Sequence, residues 1–195
     1  MYIGLYFGSF NPVHHGHLII AGFIATHTPL DQVWFIVSPQ NPFKISHSLL
    51  NEYQRLHLVK TAIEEEPGLR ASDIEFHLPK PSYTIDTLTY LEEKYPQHRF
   101  AIIMGSDSFQ NLYKWKNADV LMNRYPIFVY KRAGFDVTAE QLPNITILNA
   151  PLLQISATQI REMVKQRKSI RYLVPDSVKE EIEKKLKSVM DKMKQ

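Results

Sequence analysis

Tyr2-Ile3-Gly4-Leu5-Tyr6-Phe7, then Gly8-Ser9-Phe10-Asn11-Pro12-Val13-His14-His15-Gly16-His17, then Leu18-Ile19-Ile20-Ala21-Gly22-Phe23-Ile24 reads as strand, tight loop and helix. The first run is rich in aromatic and branched residues and ends at Gly8, as a buried strand does. The last run is apolar on nearly every face, which suits a buried helix. Between them Gly8 and Gly16 permit close backbone approach or positive φ, and Asn11-Pro12 favours a turn. A strand that passes through such a loop into a helix aims N–H groups and a positive dipole end at one point. That point suits a phosphate.

His14 and His17 stand three residues apart across the loop-to-helix junction, so both can face one ligand once the helix begins. Imidazoles donate hydrogen bonds to phosphate oxygens, and carry charge near neutral pH where a polyanion raises their pKa. Zinc is the rival reading, but the chain has no cysteine and no third ligand at a recognisable spacing, so no metal site is assigned. Histidines that merely cap a helix and fill a loop are the plain alternative.

The same alternation continues along the chain. Val33–Val37 reads as a strand that runs into the Pro- and Asn-containing loop Ser38–Lys44, followed by a helix from about Leu49 to Glu65 with Tyr53, Leu56, Val59 and Ile63 at helical spacing. Ile74-Glu75-Phe76 reads as a short strand, Ile85–Lys94 as a helix and Phe100–Met104 as a strand closed by Gly105-Ser106-Asp107. A helical region with Leu112, Trp115 and Leu121 comes next, then strands at Ile127–Tyr130 and Ile145–Leu148. Ser156 and Gln159 have the spacing of a capping box for a helix to about Lys168. A final helix runs from Pro175 to about Met190, its apolar side marked by Val178, Ile182, Leu186, Val189 and Met193. Strands alternating with helices predict an α/β fold, a Rossmann-like doubly wound parallel sheet with a C-terminal helical segment from about residue 156, all within one domain spanning 1–195. Functional loops then gather at the carboxyl ends of the strands, where Gly8, Ser38, Gly105 and Lys131 all fall.

At 195 residues and 44% apolar content the chain can bury a substantial core. The absence of cysteine excludes disulfides and thiol chemistry and fits a reducing compartment. No targeting pattern and no apolar run of transmembrane length is present, so the expectation is a soluble cytoplasmic protein without a membrane partner. The net charge of +3 arises in residues 161–195, where Lys and Arg outnumber Asp and Glu, while residues 1–160 are slightly acidic. Lys and Glu alternate from Lys179 to Lys187 as on a solvated helix, which argues against a nucleic-acid partner. Monomer and homodimer both stay open.

Gly8-Ser9-Phe10-Asn11-Pro12 followed by His14-x-Gly16-His17 resembles the nucleotidylyltransferase superfamily that carries an HxGH motif. Pro81-Ser82-Tyr83-Thr84 and Trp115 narrow the resemblance to nicotinate mononucleotide adenylyltransferases, which join that mononucleotide to the AMP part of ATP. The resemblance spans Tyr2 to about Pro175. It implies that Gly8, Ser9, Phe10, His14 and His17 hold the ATP phosphates, with His14 and His17 as the catalytic donors. It brings Lys44 to the same phosphates, although a solvated surface lysine has the same sequence. It places Gly105 and Asp107 near the adenosine, and Asp at a strand end can accept from ribose hydroxyls.

Ile155, Ser156, Thr158 and Arg161 match the family's second phosphate motif, in which Arg supplies a fork fitting phosphate oxygens. Ser82, Tyr83 and Thr84 would hold the nicotinate ring at a helix start, whose N–H groups favour a carboxylate over an amide. Trp115 would stack on the pyridine ring, its alternative being a core position, and Arg132 matches a mononucleotide-binding position. The chain departs from the pattern at Asn11, often Asp, at Phe7-Gly8, often Gly-Gly, and at Ala157, commonly Ser. Magnesium is implied as an ion carried by ATP. The rival acceptors are nicotinamide mononucleotide and phosphopantetheine, and the rival of another class is a nucleotide-binding module without turnover.

Overall fold

The computed structural model describes residues 1–39, 50–137, 143–151 and 153–192, with side chains through residue 185. Lys44 and the rest of its loop from Gln40, Leu49 and Met193 lie outside the described residues, as do the side chains of Leu186 and Val189. The strands are β1 (Tyr2–Gly8), β2 (Gln32–Val37), β3 (Leu69–Ser72), β4 (Arg99–Gly105), β5 (Ile127–Tyr130) and β6 (Ile145–Leu148). They form one sheet in the order β3-β2-β1-β4-β5-β6, every neighbouring pair parallel. The helices are α1 (His15–His27), α2 (Glu52–Ala62), α3 (Thr84–Lys94), α4 (Ser106–Phe109), α5 (Ala118–Arg124), α6 (Ala157–Lys165) and α7 (Asp176–Lys192).

A parallel sheet covered on both faces needs strands that are apolar at successive positions, and the central strands have that character. Alternate residues of β1, β2, β4 and β5 serve two separate cores. Tyr6, Val33, Phe35, Val37, Ile103 and Phe128 face Ala21 and Ile24 of α1, Leu56 and Val59 of α2, Ile160 of α6 and Val178 of α7. Ile3, Leu5, Trp34, Ile36, Ile102 and Val129 face Leu88 and Leu91 of α3 and Leu121 of α5. Each fully buried Leu, Ile or Val contributes about 1.5–3 kcal/mol. The fold is thus doubly wound. From β1 the chain winds outward through β2 to β3, then returns to place β4 on the other side of β1. This reversal opens a crevice beyond the carboxyl ends of β1 and β4.

Three sequence expectations change. Ile74-Glu75-Phe76 is not a strand: Ile74–His77 forms a 3₁₀ turn, and the edge strand is Leu69–Ser72 just before it. Pairing ends at Ser72 opposite Ile36, where the Ser72 hydroxyl accepts from the Ile74 N–H and the chain tightens through the Phe76 N–H bond to Asp73. On α2 the buried face is Arg55, Leu56, Leu58 and Val59, while Tyr53 is 63% exposed and packs edge-on against Phe76. The first helix buries Gly16, Ala21 and Ile24 and leaves Ile19 exposed, because only one side of it meets the sheet. The Ser156 hydroxyl accepts from the Gln159 N–H as a cap should, and α6 ends at Lys165, with Arg167 at positive φ.

Candidate active site

Beyond the carboxyl ends of β1 and β4 lies a cleft of about 990 Å³. It is large enough for two nucleotides' worth of ligand, at the upper end of small-molecule sites. Gly8, Ser9, Phe10, His14, His17, Ser82, Tyr83, Thr84, Gly105, Asp107, Trp115, Arg132, Ile155, Ser156, Thr158 and Arg161 all line it. The parallel sheet thus brings together every expected site residue except Lys44, which lies outside the described residues. Lys114, Lys116 and Lys131 join Arg132 and Arg161 around it, against the carboxylates Glu75 and Asp107. A concave wall with this excess of cations concentrates polyanions.

At the β1 end the chain turns sharply. Phe10 has φ of +44°, and its ring is buried, edge-on to Tyr6 and His17 and tilted against Phe35. Gly8 has to be glycine here: a Cβ would lie 2.8 Å from the Phe10 ring. Phe10 lines the cleft although its ring packs in the core. His14 precedes α1 in extended conformation, and its ring stacks on His17 with centroids 3.7 Å apart and planes 23° from parallel. The His15 N–H, the first of α1, donates to the Leu173 carbonyl at 2.9 Å, so the helix start is partly satisfied from the C-terminal part of the chain.

Burial lowers the His14 pKa from 6.5 to about 4, assisted by the positive charge of Arg132 and by His15, so His14 is neutral at physiological pH. Its Nδ1 meets no hydrogen-bond partner among the described residues. A folded-state pKa below the unfolded one means that the unfolded chain binds more protons between about pH 6.5 and 4. Stability therefore falls as pH drops through that window. His14 accounts for about 2 kcal/mol of that loss by pH 4.5, the order expected for a shift of this size. Urea denaturation at pH 7 and 4.5 reads it: His14→Gln loses less stability between the two pH values than the native protein, and equal losses would contradict the assignment.

At the β4 end Gly105 is crowded. A Cβ there would lie 2.5 Å from Asp107 Oδ1 and 2.8 Å from Arg132 Cδ. The sequence motifs give Asp107 and Arg132 to opposite ligands, and the structure pairs them: Arg132 Nη1 donates to Asp107 Oδ2 at 3.0 Å. Asp107 Oδ1 is buried without a partner among the described residues, an acceptor left for a hydroxyl. The Arg132 N–H donates to Ser106 Oγ at 2.9 Å, which fixes the start of the loop after β5. Below, the buried hydroxyls of Tyr6 and Tyr130 lie 3.2 Å apart, and burial is the main cause raising the pKa of each.

The third wall is the start of α3. Its N-cap is Tyr83, with no side-chain cap bond, so neither Ser82 nor Thr84 is an ordinary capping residue. The Ser82 hydroxyl donates instead to Glu75 Oε2 at 2.7 Å, and the Thr87 hydroxyl to Glu75 Oε1 at 2.9 Å. Glu75 is 2% exposed, and the sequence offered no hint of it beyond a charge in an apolar triplet. Lys116 stands over the Tyr83 ring at 5.1 Å and pairs with Asp86 at 2.9 Å. Trp115 is half-buried, packs against the second core and also lines the cleft.

The fourth wall is the start of α6. Arg161 Nη1 donates to the Asn11 carbonyl at 2.9 Å, and Nη2 to Thr158 Oγ1 at 3.1 Å. The fork is therefore held across the opening loop, with further N–H groups available. Among the described residues no group of three His, Asp or Glu side chains could hold a metal, and none of the helices is long and apolar enough to cross a membrane.

Comparison with known proteins gives a consistent result. The "Cytidylyltransferase-like" family model matches residues 5–163. A probable nicotinate-nucleotide adenylyltransferase of Cytophaga hutchinsonii is 54% identical over 181 residues, covering 92% of this chain and 94% of its own. One of Flavobacterium psychrophilum is 49% identical, covering 91% and 94%. Among solved structures, Plasmodium falciparum nicotinic acid mononucleotide adenylyltransferase complexed with APC superposes with a TM-score of 0.79 at 20% identity, covering 95% of this chain and 96% of that one. The same enzyme complexed with NaAD gives 0.78 at 21% identity, covering 91% and 93%, which shows a shared fold. By sequence along nearly its whole length, by motif and by fold, the chain belongs to the cytidylyltransferase-like family, in its nicotinate-nucleotide adenylyltransferase branch.

Proposed function

We propose that this protein transfers the AMP part of ATP to nicotinate mononucleotide, forming nicotinate adenine dinucleotide (deamido-NAD) and pyrophosphate, a step of NAD biosynthesis. The observation that carries the reading is a single cleft, at the point where the sheet reverses, that holds both the His14–His17 loop and the Ser82–Thr84 helix start. The 5′-phosphate of the mononucleotide attacks the α-phosphorus in line, the bond to the β-phosphate oxygen breaks, and pyrophosphate leaves. A phosphate nucleophile is already ionised, so no general base is required. Catalysis then rests on positioning and on stabilising charge at the α-phosphate and the leaving group.

His14, neutral, donates through one ring N–H, and His17 beside it acts on the same oxygens. Arg161 and the backbone of Ser156 and Thr158 face the leaving pyrophosphate. Asp107 Oδ1 accepts from a ribose hydroxyl. Lys44 belongs to the phosphate set by its motif position. Magnesium enters on the triphosphate: the two cleft carboxylates already hold Arg132 and the Ser82–Thr87 hydroxyls, which suits an ion retained by phosphates and water.

Ser82 has its proton engaged by Glu75, so the nicotinate carboxylate is met by N–H groups at the start of α3, with Lys116 near, and Trp115 covers the ring. A pyrophosphate-release assay with ATP and magnesium tests the reading. The expected result is that nicotinate mononucleotide is used at least tenfold better, in kcat/KM, than nicotinamide mononucleotide. Equal use of the two would remove the acid-selective role of α3, and release with neither would remove the substrate assignment.

A further inference from the structure

Arg55 is the largest fully buried side chain among the described residues, and none of them forms a salt bridge with it. Its guanidinium is surrounded by carbonyls. Nε donates to Leu50 O at 2.9 Å, Nη1 to Ser9 O at 2.6 Å and Ser38 O at 2.8 Å, and Nη2 to Pro39 O at 3.3 Å. These acceptors come from the loop after β1, the end of β2 and the approach to α2. Burying a cation is costly, and among the described residues these four carbonyl bonds are what offset that cost. The shortest of the four bonds goes to the loop that lines the cleft.

The peptide joining Ser9 to Phe10 is trans, so its C=O and N–H point in opposite directions. With the Ser9 oxygen drawn toward Arg55, the Phe10 N–H is turned away from α2. Ser9 and Phe10 both line the cleft, while the Phe10 ring packs in the core. Phe10 at φ +44° occupies a region that disfavours a bulky residue, and an orientation held from behind keeps that conformation populated.

We propose that Arg55 is a positioning residue for phosphate binding: it clamps the Ser9 carbonyl from behind the opening loop and so directs the Phe10 N–H at the ATP phosphates. The proposal rests on the reading of that loop as the phosphate site. Lysine cannot reproduce it, because a point ammonium lacks the planar fork that reaches Ser9, Ser38, Pro39 and Leu50 together.

Two experiments decide it, neither of which requires turnover. In the native, ¹⁵N-labelled protein, titration with inorganic tripolyphosphate shifts the Phe10 amide resonance strongly downfield. An unmoved Phe10 resonance while tripolyphosphate binds overturns the proposal. In Arg55→Lys, calorimetry gives tripolyphosphate and ATP affinities reduced at least tenfold while nicotinate mononucleotide affinity changes less than twofold. Equal losses for all three ligands, or no loss for any, would make Arg55 an ordinary structural residue. If Arg55→Lys does not fold, an unmoved Phe10 resonance in the native protein still overturns the proposal. Failure of acid over amide preference in turnover would leave both readouts intact, so the two readings fail separately.

Discussion

His17→Ala is expected to lower kcat and kcat/KM together by about a hundredfold or more, the loss of about 3 kcal/mol of transition-state stabilisation when one donor to a developing anion is removed. The ring does two things in the structure: it stacks on His14, and it stands edge-on to Phe10 and Tyr6. Removing it therefore also loosens the neighbours, and stability has to be followed beside rate. A modest fall in denaturation midpoint with a hundredfold loss of rate at saturating substrates marks a transition-state role. His17→Gln, which keeps a donor of similar reach, is expected to recover part of the rate. Unchanged turnover in His17→Ala would remove the phosphate-site reading on which the mechanism depends.

The second large effect is expected at Glu75. Its carboxylate accepts from Ser82 and Thr87 while almost wholly shielded from water, and hydrogen bonds to a charged acceptor are stronger than neutral ones. Glu75→Ala leaves the Ser82 hydroxyl without that acceptor and opens a void under the 82–84 segment, at a cost of about 3 kcal/mol. Thr87 retains its second, longer bond to the Tyr83 carbonyl at 3.3 Å. For a chain of this size the midpoint of thermal unfolding falls by about 6–12 °C. Because the same segment forms the wall assigned to the nicotinate ring, KM for the mononucleotide rises by about tenfold while KM for ATP changes little. A midpoint within about 2 °C of the native protein would show that Ser82 and Thr87 find other partners at no cost.

These residues also show where the sequence stopped being informative. The opening strand, loop and helix are local, and so is the alternation of strand and helix that fixes a parallel sheet. Once those are read, the reversal between β1 and β4 collects motifs 100 and more residues apart onto one edge. Glu75 and Arg55 escape such reading for a common reason. A charged residue in a helix or a short apolar triplet looks solvated until its partners are known, and here the partners are hydroxyls and carbonyls supplied by other segments. Arg55 did leave one trace: with Leu58 and Val59 it lies at the spacing of a single helical face, the face that turned out to be buried. Tyr53, apolar enough to suggest a core position, lies on the other side. The misplaced strand at Ile74–Phe76 has a similar origin, since β3 is the edge sequence Leu-Arg-Ala-Ser and its strand character comes from pairing with β2.

The bonds from His15 N–H to Leu173 O and from Arg161 to Asn11 O join the first loop of the chain to segments some 150 residues later. A growing chain makes the histidine loop first and its restraints nearly last. Until residue 173 has left the ribosome, the first strand and helix can form, but the cradle between them lacks the contacts that set its shape. The contacts that brace this loop are therefore complete only late in synthesis.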